Sequence, residues 1–166
     1  MEMKFNVRPA RRTDADQVIL LLEDISKFHA AFRPDIFAES VKYTKEQFEE
    51  ILNDINRPVL VAADNDDRVV GYAFCAQVTY ENHSVFLNRR TFYIDDFCVN
   101  EEYRGTGAAK LLMDECFVLA KNMDCDDITL NVWEFNKRAI AFYEKCGFKT
   151  QRRGMELKIK ECEGEK

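Results

Sequence analysis

Apolar positions recur along this chain with two periods, and the segments that carry them alternate. Phe5-Asn6-Val7-Arg8 alternates and reads as a short first strand. Thr13 starts a helix, with Asp14 and Asp16 in its first turn. Val18, Leu21, Leu22, Ile25, Phe28 and Phe32 follow helical spacing until Arg33-Pro34-Asp35 breaks it. Thr44-Lys45-Glu46-Gln47 is a capping-box pattern, and Phe48, Ile51, Leu52 and Ile55 give a second short helix that Pro58 ends. Val59 to Ala63 is a strand, Asn65-Asp66-Asp67 a turn, and Arg68 to Tyr80 a longer strand, which together predict a hairpin. After a loop at Glu81-Asn82-His83-Ser84 come a central strand over 91–99, a helix over 107–122, a strand over 127–133 and a helix over 136–146. Met155, Leu157 and Ile159 alternate, so Phe148 to Lys160 predicts a final strand or hairpin. The order is β-α-α-β-β-β-α-β-α-β. It predicts a mixed α/β (α+β) fold, a twisted sheet with helices on both faces.

The junction between the central strand and its helix reads Arg104-Gly105-Thr106-Gly107-Ala108-Ala109. Glycines permit positive φ and close approach of the backbone to a ligand. Free N–H groups at a helix N-terminus then form an anion site suited to phosphate. Two rival phosphate motifs fail here. The nucleoside-triphosphate loop needs Lys-Ser or Lys-Thr after its last glycine, but Gly107 is followed by Ala108-Ala109-Lys110-Leu111. The dinucleotide fingerprint needs a third small residue where this chain has Lys110.

A second segment follows the strand Ile128 to Trp133. In Asn136-Lys137-Arg138-Ala139-Ile140-Ala141-Phe142-Tyr143-Glu144-Lys145-Cys146-Gly147-Phe148, Asn136 is a good N-cap. Ala139, Phe142, Tyr143 and Cys146 share one helical face, and Gly147 stops the helix. Together the two segments resemble the acetyl-CoA signatures of the GNAT superfamily of N-acetyltransferases. Arg104-x-x-Gly107-x-Ala109 is similar to that family's pyrophosphate loop. Asn136-x-x-Ala139-x-x-Phe142-Tyr143-x-x-x-Gly147-Phe148 is similar to its second signature. The resemblance is strongest over residues 90–150 and implies the same fold as the periodicity does. It also implies acetyl-CoA as co-substrate, with CoA as product.

The chain has 166 residues, so a single domain over 1–166, with its core at about 4–160, is expected. No apolar run approaches the ~20 residues of a membrane span. The N-terminus lacks an apolar secretion core. These features give a cytoplasmic expectation. The six Cys, at 75, 98, 116, 125, 146 and 162, include no C-x-x-C pair, and there are only two His, so no metal site is expected. They read as scattered reduced thiols. Net charge −6 disfavours nucleic acid and mildly favours a cationic partner such as an amine.

Acetyl transfer to an amine needs a neutral amine, a donor for the thioester oxygen and a proton for the leaving thiolate. Asp95 and Asp96 are the strand carboxylates beside the loop. Adjacent strand residues face opposite sides, so only one faces a given cleft unless a bulge re-aims them. Polyamine-type members of the family carry an acidic residue at the place of Asp95 that orders water as base, which makes Asp95 the first choice and Asp96 the second. His29 is a further candidate base. Tyr143 is the candidate acid, because a phenol with pKa near ~10 is protonated at neutral pH. The resemblance puts the carbonyl donor on the main chain at Phe97, Cys98 or Val99, where members splay the strand to admit pantetheine. It implies direct transfer, with Cys98 as packing. The cofactor set is completed by Arg104, Gly105, Thr106, Gly107, Ala108, Ala109, Asn136, Ala139 and Tyr143. Phe28, His29, Phe32 and Tyr80 are candidate acceptor-site walls, and Trp133 and Glu134 read as core or rim.

The reading is an acetyl-CoA-dependent N-acetyltransferase acting on a primary amine, expected to be a small cationic one. Some likeness to diamine acetyltransferases lies in Tyr93-Ile94-Asp95-Asp96-Phe97 and in Asn131 to Asn136. The alternatives are a protein N-terminal or lysine acetyltransferase, and a non-catalytic acyl-CoA sensor. Neither a membrane nor a nucleic-acid partner is expected, and a homodimer is one assembly open to the chain.

Overall fold

The computed structural model describes residues 4–159. Its elements are β1 (Asn6–Pro9), α1 (Ala15–Phe32), α2 (Lys45–Ile51), β2 (Val59–Ala63), β3 (Val69–Tyr80), β4 (Arg89–Val99), α3 (Ala108–Asn122), β5 (Asp127–Leu130) and α4 (Lys137–Lys145). One five-stranded sheet runs in the order β1-β2-β3-β4-β5. Its first three pairings are antiparallel, and β4 with β5 is parallel. The fold class is the mixed α/β one that the periodicity predicts. Among the described residues no helix is long and apolar enough to cross a membrane.

Helices cover both faces of the sheet. On one, Val18, Leu21 and Leu22 of α1 and Phe48 and Ile51 of α2 pack on Val59, Val61, Tyr72 and Phe74. On the other, Leu112, Met113 and Cys116 of α3 pack on Ala62, Ala73, Phe92 and Ile94, with Phe142 and Tyr143 of α4 at the edge. Each large aliphatic or aromatic side chain so buried contributes roughly 1.5–3 kcal/mol. An ion pair pins β1 to the start of α1. Arg8 Nη1 donates to Asp14 Oδ2 at 2.7 Å, and both side chains are almost fully buried.

The structure corrects several sequence boundaries. A 3-10 turn over Arg12–Asp14 precedes α1, so Thr13 lies in that turn rather than capping the helix. The box read at Thr44 forms, with Gln47 N donating to Thr44 Oγ1, but α2 ends at Ile51 and Ile55 is exposed. β5 stops at Leu130, short of the predicted 133. The final strand does not form among the described residues. Positions 148–159 have no regular structure, and Met155, Leu157 and Ile159 stand in solvent. Their alternation is real, but no strand of the same sheet accepts them. Lys160 and Cys162 lie outside the described residues.

Candidate active site

An opening in the sheet locates the site. β4 and β5 are paired only from Thr91–Asp127 to Ile94–Leu130, and β4 then runs on to Val99 beside β3 alone. Past Leu130 the chain leaves the sheet, with Asn131 Nδ2 donating to the Tyr93 hydroxyl at 3.1 Å. Among the described residues, the edge of β4 from Asp95 to Val99 therefore has no strand on that side. Main-chain groups left free there can receive a carbonyl or an amide from a ligand. Phe97, Cys98 and Val99, the predicted donor segment, all lie on it.

The glycine loop lies at the end of this strand. Gly105 and Gly107 have φ +76° and +96°, and a Cβ at either would meet nothing within 4 Å. Open space above a positive-φ backbone suits a ligand-facing cradle. The first turn of α3 has no side-chain cap, and the ladder begins with Leu111 N donating to Gly107 O at 3.0 Å. The amides of Ala108, Ala109 and Lys110 precede that bond and are orphan donors at the positive end of the helix. Thr106 Oγ1 donates to Tyr103 O at 2.6 Å, which fixes the loop from below. Arg104 is partly engaged elsewhere. Its amide donates to Glu101 O at 3.2 Å, and its guanidinium lies 3.4 Å from Glu101 Oε1. This set of donors fits a diphosphate.

A bulge governs the carboxylates. The register shifts between Phe74 and Cys75, so Phe74 faces Asp96 while Cys75 faces Ile94, and Asp95 is the extra residue. The expectation that Asp95 and Asp96 point apart is thereby corrected. Phe92 and Ile94 face α3, and so do Phe97 and Val99 beyond the bulge. Asp96 turns with Tyr72 and Phe74 toward α1 and α2. The Tyr72 hydroxyl donates to Asp96 Oδ1 at 3.1 Å, and the Tyr43 hydroxyl to Asp95 Oδ2 at 2.5 Å. Lys42 Nζ lies 3.0 Å from Asp95 Oδ2 and 3.4 Å from Asp96 Oδ2. Asp96 is the more enclosed, its side chain 16% exposed against 28% for Asp95. Burial holds the Asp96 carboxyl above the usual range, although Lys42 and Tyr72 pull it back. Burial alone would lower the Lys42 ammonium, but Asp96 and Asp95 outweigh it and hold the pKa above its ordinary value. Burial and the bond to Asp95 push Tyr43 up to about 12. Lys42, Tyr43 and Tyr72 were not foreseen. Lys42 and Tyr43 sit in a stretch without periodicity, and Tyr72 reads as an ordinary core strand residue.

Tyr143 comes from α4 across the opening and packs edge-on against Phe97 at 6.3 Å. Burial raises its pKa, and the charges of Asp96 and Cys98 raise it further. The phenol therefore stays protonated, and Asp96 is the carboxylate whose charge reaches it. Burial, then Asp96, pushes the Cys98 thiol up to about 12, which fits packing rather than nucleophilic use. Asn136 acts as the predicted cap, its Oδ1 accepting from Ala139 N at 3.2 Å.

The predicted acceptor walls are partly brought together. Phe28, His29 and Phe32 cluster with Phe135, the rings of Phe32 and Phe135 stacked at 5.0 Å. Trp133 is at the rim, edge-on to Phe37 at 5.1 Å. Glu134 is exposed and pairs with Lys137. His29 stacks on Phe37 at 5.0 Å, and its pKa is lowered by burial, with Asp96 opposing. Tyr80 is not part of this wall. It pairs with Arg89 at the far end of the hairpin and packs on Phe86 at 5.5 Å.

Known proteins share this fold. The profile of the acetyltransferase (GNAT) family matches residues 22–148. Glucosamine 6-phosphate N-acetyltransferase 1 of Dictyostelium discoideum is 28% identical over 124 residues, covering 71% of this chain and 74% of its own. The thialysine N-epsilon-acetyltransferase of Bos taurus is 26% identical over 151 residues, covering 85% and 82%. Among solved structures, a tetramutant of the BH1408 protein of Bacillus halodurans superposes with a TM-score of 0.89 at 29% identity, over 93% of this chain and 99% of its own. An aminoglycoside N-acetyltransferase solved with CoA shares the fold, with a TM-score of 0.70 at 15% identity over 98% of each chain. With the family's profile running from within α1 to the turn after α4, this chain belongs to the GNAT family of acetyltransferases and is an acyltransferase.

Proposed function

We propose that the protein transfers the acetyl group of acetyl-CoA directly to the primary amine of a small cationic acceptor. The observation that carries the reading is the pair of carboxylates at the open edge of β4, which together hold the Lys42 ammonium. A site that holds one ammonium by two carboxylates can hold another. The aminoglycoside and thialysine enzymes named above act on amines, which supports this acceptor class.

The chemistry assigns a task to each group. The orphan amides of Ala108, Ala109 and Lys110 bind the diphosphate. The opened edge at Phe97 to Val99 donates to the acetyl carbonyl oxygen as charge builds there. An acceptor ammonium with pKa near ~10.4 is neutral in only about one molecule in 10³ at pH 7, so a base must take its proton. Asp96 takes that role, directly or through water, because burial makes its carboxylate more basic and it lies closest in charge to Tyr143. Asp95, fixed by Tyr43, orients the acceptor. The amine nitrogen attacks the carbonyl carbon, the C–N bond forms and the C–S bond breaks, and the nitrogen's second surplus proton passes to solvent, from which Tyr143 regains the proton it gives up. The thiolate of CoA receives its proton from Tyr143.

An acceptor panel read by CoA release tests this reading. Spermidine, aminoglycosides, free amino acids and peptides are the arms. Turnover with small amines is expected. Turnover with peptides alone would move the acceptor to proteins, and acetyl-CoA binding without turnover in any arm would make the chain a sensor.

A further inference from the structure

Resting on the amine reading above, we infer that Arg57 binds a carboxylate on the acceptor, which makes the acceptor a diamino acid rather than a plain amine. Four of the described arginines are buried or half-buried, and three of them hold an aspartate: Arg8 with Asp14, Arg33 with Asp35 and Arg89 with Asp127. Arg57 is the fourth, and among the described residues its guanidinium has no hydrogen bond or ion pair. A half-buried guanidinium without an anion has given up hydration and gained nothing for it. Its charge does reach the Tyr43 hydroxyl, where burial and Asp95 raise the pKa and Lys42 and Arg57 oppose them.

The backbone aims this side chain. Asn56 O and Pro58 O accept from Gln77 N at 2.7 Å and from Cys75 N at 3.0 Å, which extends the β2–β3 pairing back past Val59. Side chains alternate along such a segment, so Arg57 lies on the face that carries Val59, the face of α1 and α2. There it lines a cavity of about 160 Å³ with Tyr43, Ile51, Phe74, Tyr93 and Asp95. A single water needs only about 10–15 Å³, so this space takes a group of several heavy atoms. Its two charged lining residues are Arg57 and Asp95, one of each sign.

Asp95 joins this cavity to the site of transfer, because the same carboxylate orients the acceptor's amine. A group that extends from the amine past Asp95 therefore reaches Arg57. A planar guanidinium grips a carboxylate through two parallel N–H···O bonds. One guanidinium balances one negative charge, and Asp95 opposes a second. A carboxylate thus fits better than a phosphate monoester, whose charge is about −1.5 to −2. Asp95 and Asp96 still call for a cation. An amino acid with two amines keeps a net positive charge beside its carboxylate and satisfies both ends of the site.

Steady-state kinetics on matched acceptors tests the inference. Lysine is compared with cadaverine and ornithine with putrescine, each pair differing only in the carboxylate. Wild-type kcat/KM should favour the amino acid by about tenfold to 10²-fold, the worth of a charge-assisted contact. Arg57→Gln should bring the ratio within each pair close to one, and Arg57→Lys should restore part of it. A merely structural Arg57 would lower both members alike and keep the ratio. A wild type that uses the plain diamines as well as the amino acids overturns the inference, and so does an Arg57→Gln ratio equal to that of the wild type. O-phosphoethanolamine preferred to lysine overturns the choice of a carboxylate. Turnover of spermidine or an aminoglycoside but of neither amino acid overturns the inference and leaves the amine reading standing. No turnover of any small amine overturns both.

Discussion

Asp95 and Asp96 are neighbours in sequence, yet both carboxylates reach one ammonium, 3.0 and 3.4 Å from Lys42 Nζ. A regular strand would point them to opposite faces. The bulge at Asp95 removes that constraint and divides their work between holding the acceptor and taking its proton. Asp96→Asn is expected to lower turnover by roughly 10²-fold or more near neutral pH, as loss of a positioned base does. The deficit should shrink as pH approaches the amine pKa near ~10.4, where the acceptor arrives neutral. Asp95→Asn should raise the acceptor KM more than it lowers kcat. A pH–rate profile of both variants decides the matter. A pH-dependent deficit in Asp95→Asn alone would assign the base to Asp95, and a flat profile in both would move it to His29.

Tyr143 has a raised pKa through burial and through the charges of Asp96 and Cys98. A raised phenol remains an acid across the working range, so wild-type kcat should show no alkaline loss below its ordinary value near ~10. Tyr143→Phe is expected to lower kcat by roughly 10²-fold with the affinity for acetyl-CoA nearly unchanged. Single-turnover measurements check this. Unchanged chemistry in the Phe variant would remove Tyr143 from the mechanism.

The cradle depends on backbone conformation rather than on space. Gly107 has φ +96° with nothing within 4 Å of a Cβ, so a side chain there meets no clash but strains the turn. The left-handed region costs an ordinary residue about 1–2 kcal/mol. Gly107→Val should weaken acetyl-CoA binding by roughly tenfold, equivalent to about 1.4 kcal/mol. Gly107→Asn should weaken it less, since Asn tolerates positive φ. Calorimetric titration with acetyl-CoA measures both. Wild-type affinity in the Val variant would place the diphosphate elsewhere.

The parts of the site that sequence revealed are those with a local cause. The Asn136 cap, the loop glycines and the helix face carrying Tyr143 each depend on residues a few positions apart, and each forms as read. The bulge had a signal too. Apolar residues step by two from Phe92 to Ile94, by three from Ile94 to Phe97, and by two again to Val99, and the odd step marks the extra residue. Lys42 and Tyr43 had none, because the chain between α1 and α2 lacks a period and they reach Asp95 from more than fifty positions away. The last strand failed for a different reason. The alternation of Met155, Leu157 and Ile159 shows that a segment is suited to a sheet but does not say which sheet.

The Arg8–Asp14 pair is the most buried ion pair described and should matter to stability. Asp14→Ala leaves a buried guanidinium without its main partner, and the cost is expected at about 3–5 kcal/mol. Replacing both members, Arg8→Met with Asp14→Leu, should recover most of that loss. The pH dependence follows from the depressed carboxyl. Burial raises its pKa, but Arg8 and the Arg11 amide outweigh burial and hold it below its ordinary value. Its stabilisation is therefore complete above the unfolded value near ~3.9 and is lost as pH falls through the folded one. Urea unfolding from neutral to acid pH checks both statements. A pH-independent difference between wild type and Asp14→Ala across that acid range would deny the linkage.

Lys42 supplies the last test, because its ammonium stands where the proposal places the acceptor's. Removing it as Lys42→Met leaves two carboxylates facing the cleft without an internal cation. The KM for cationic amines should then fall, from a few-fold to roughly tenfold, the upper figure corresponding to about 1.4 kcal/mol. An uncharged acceptor should gain nothing. A second effect follows from the same contact. Lys42 pulls the Asp96 carboxyl down, so its loss lets burial raise that group further, and the acid limb of kcat/KM should move to higher pH. A mere loosening of the loop would not move that limb. A KM that rises instead, with the limb unmoved, would make Lys42 part of the acceptor's support and would turn the site away from cationic amines.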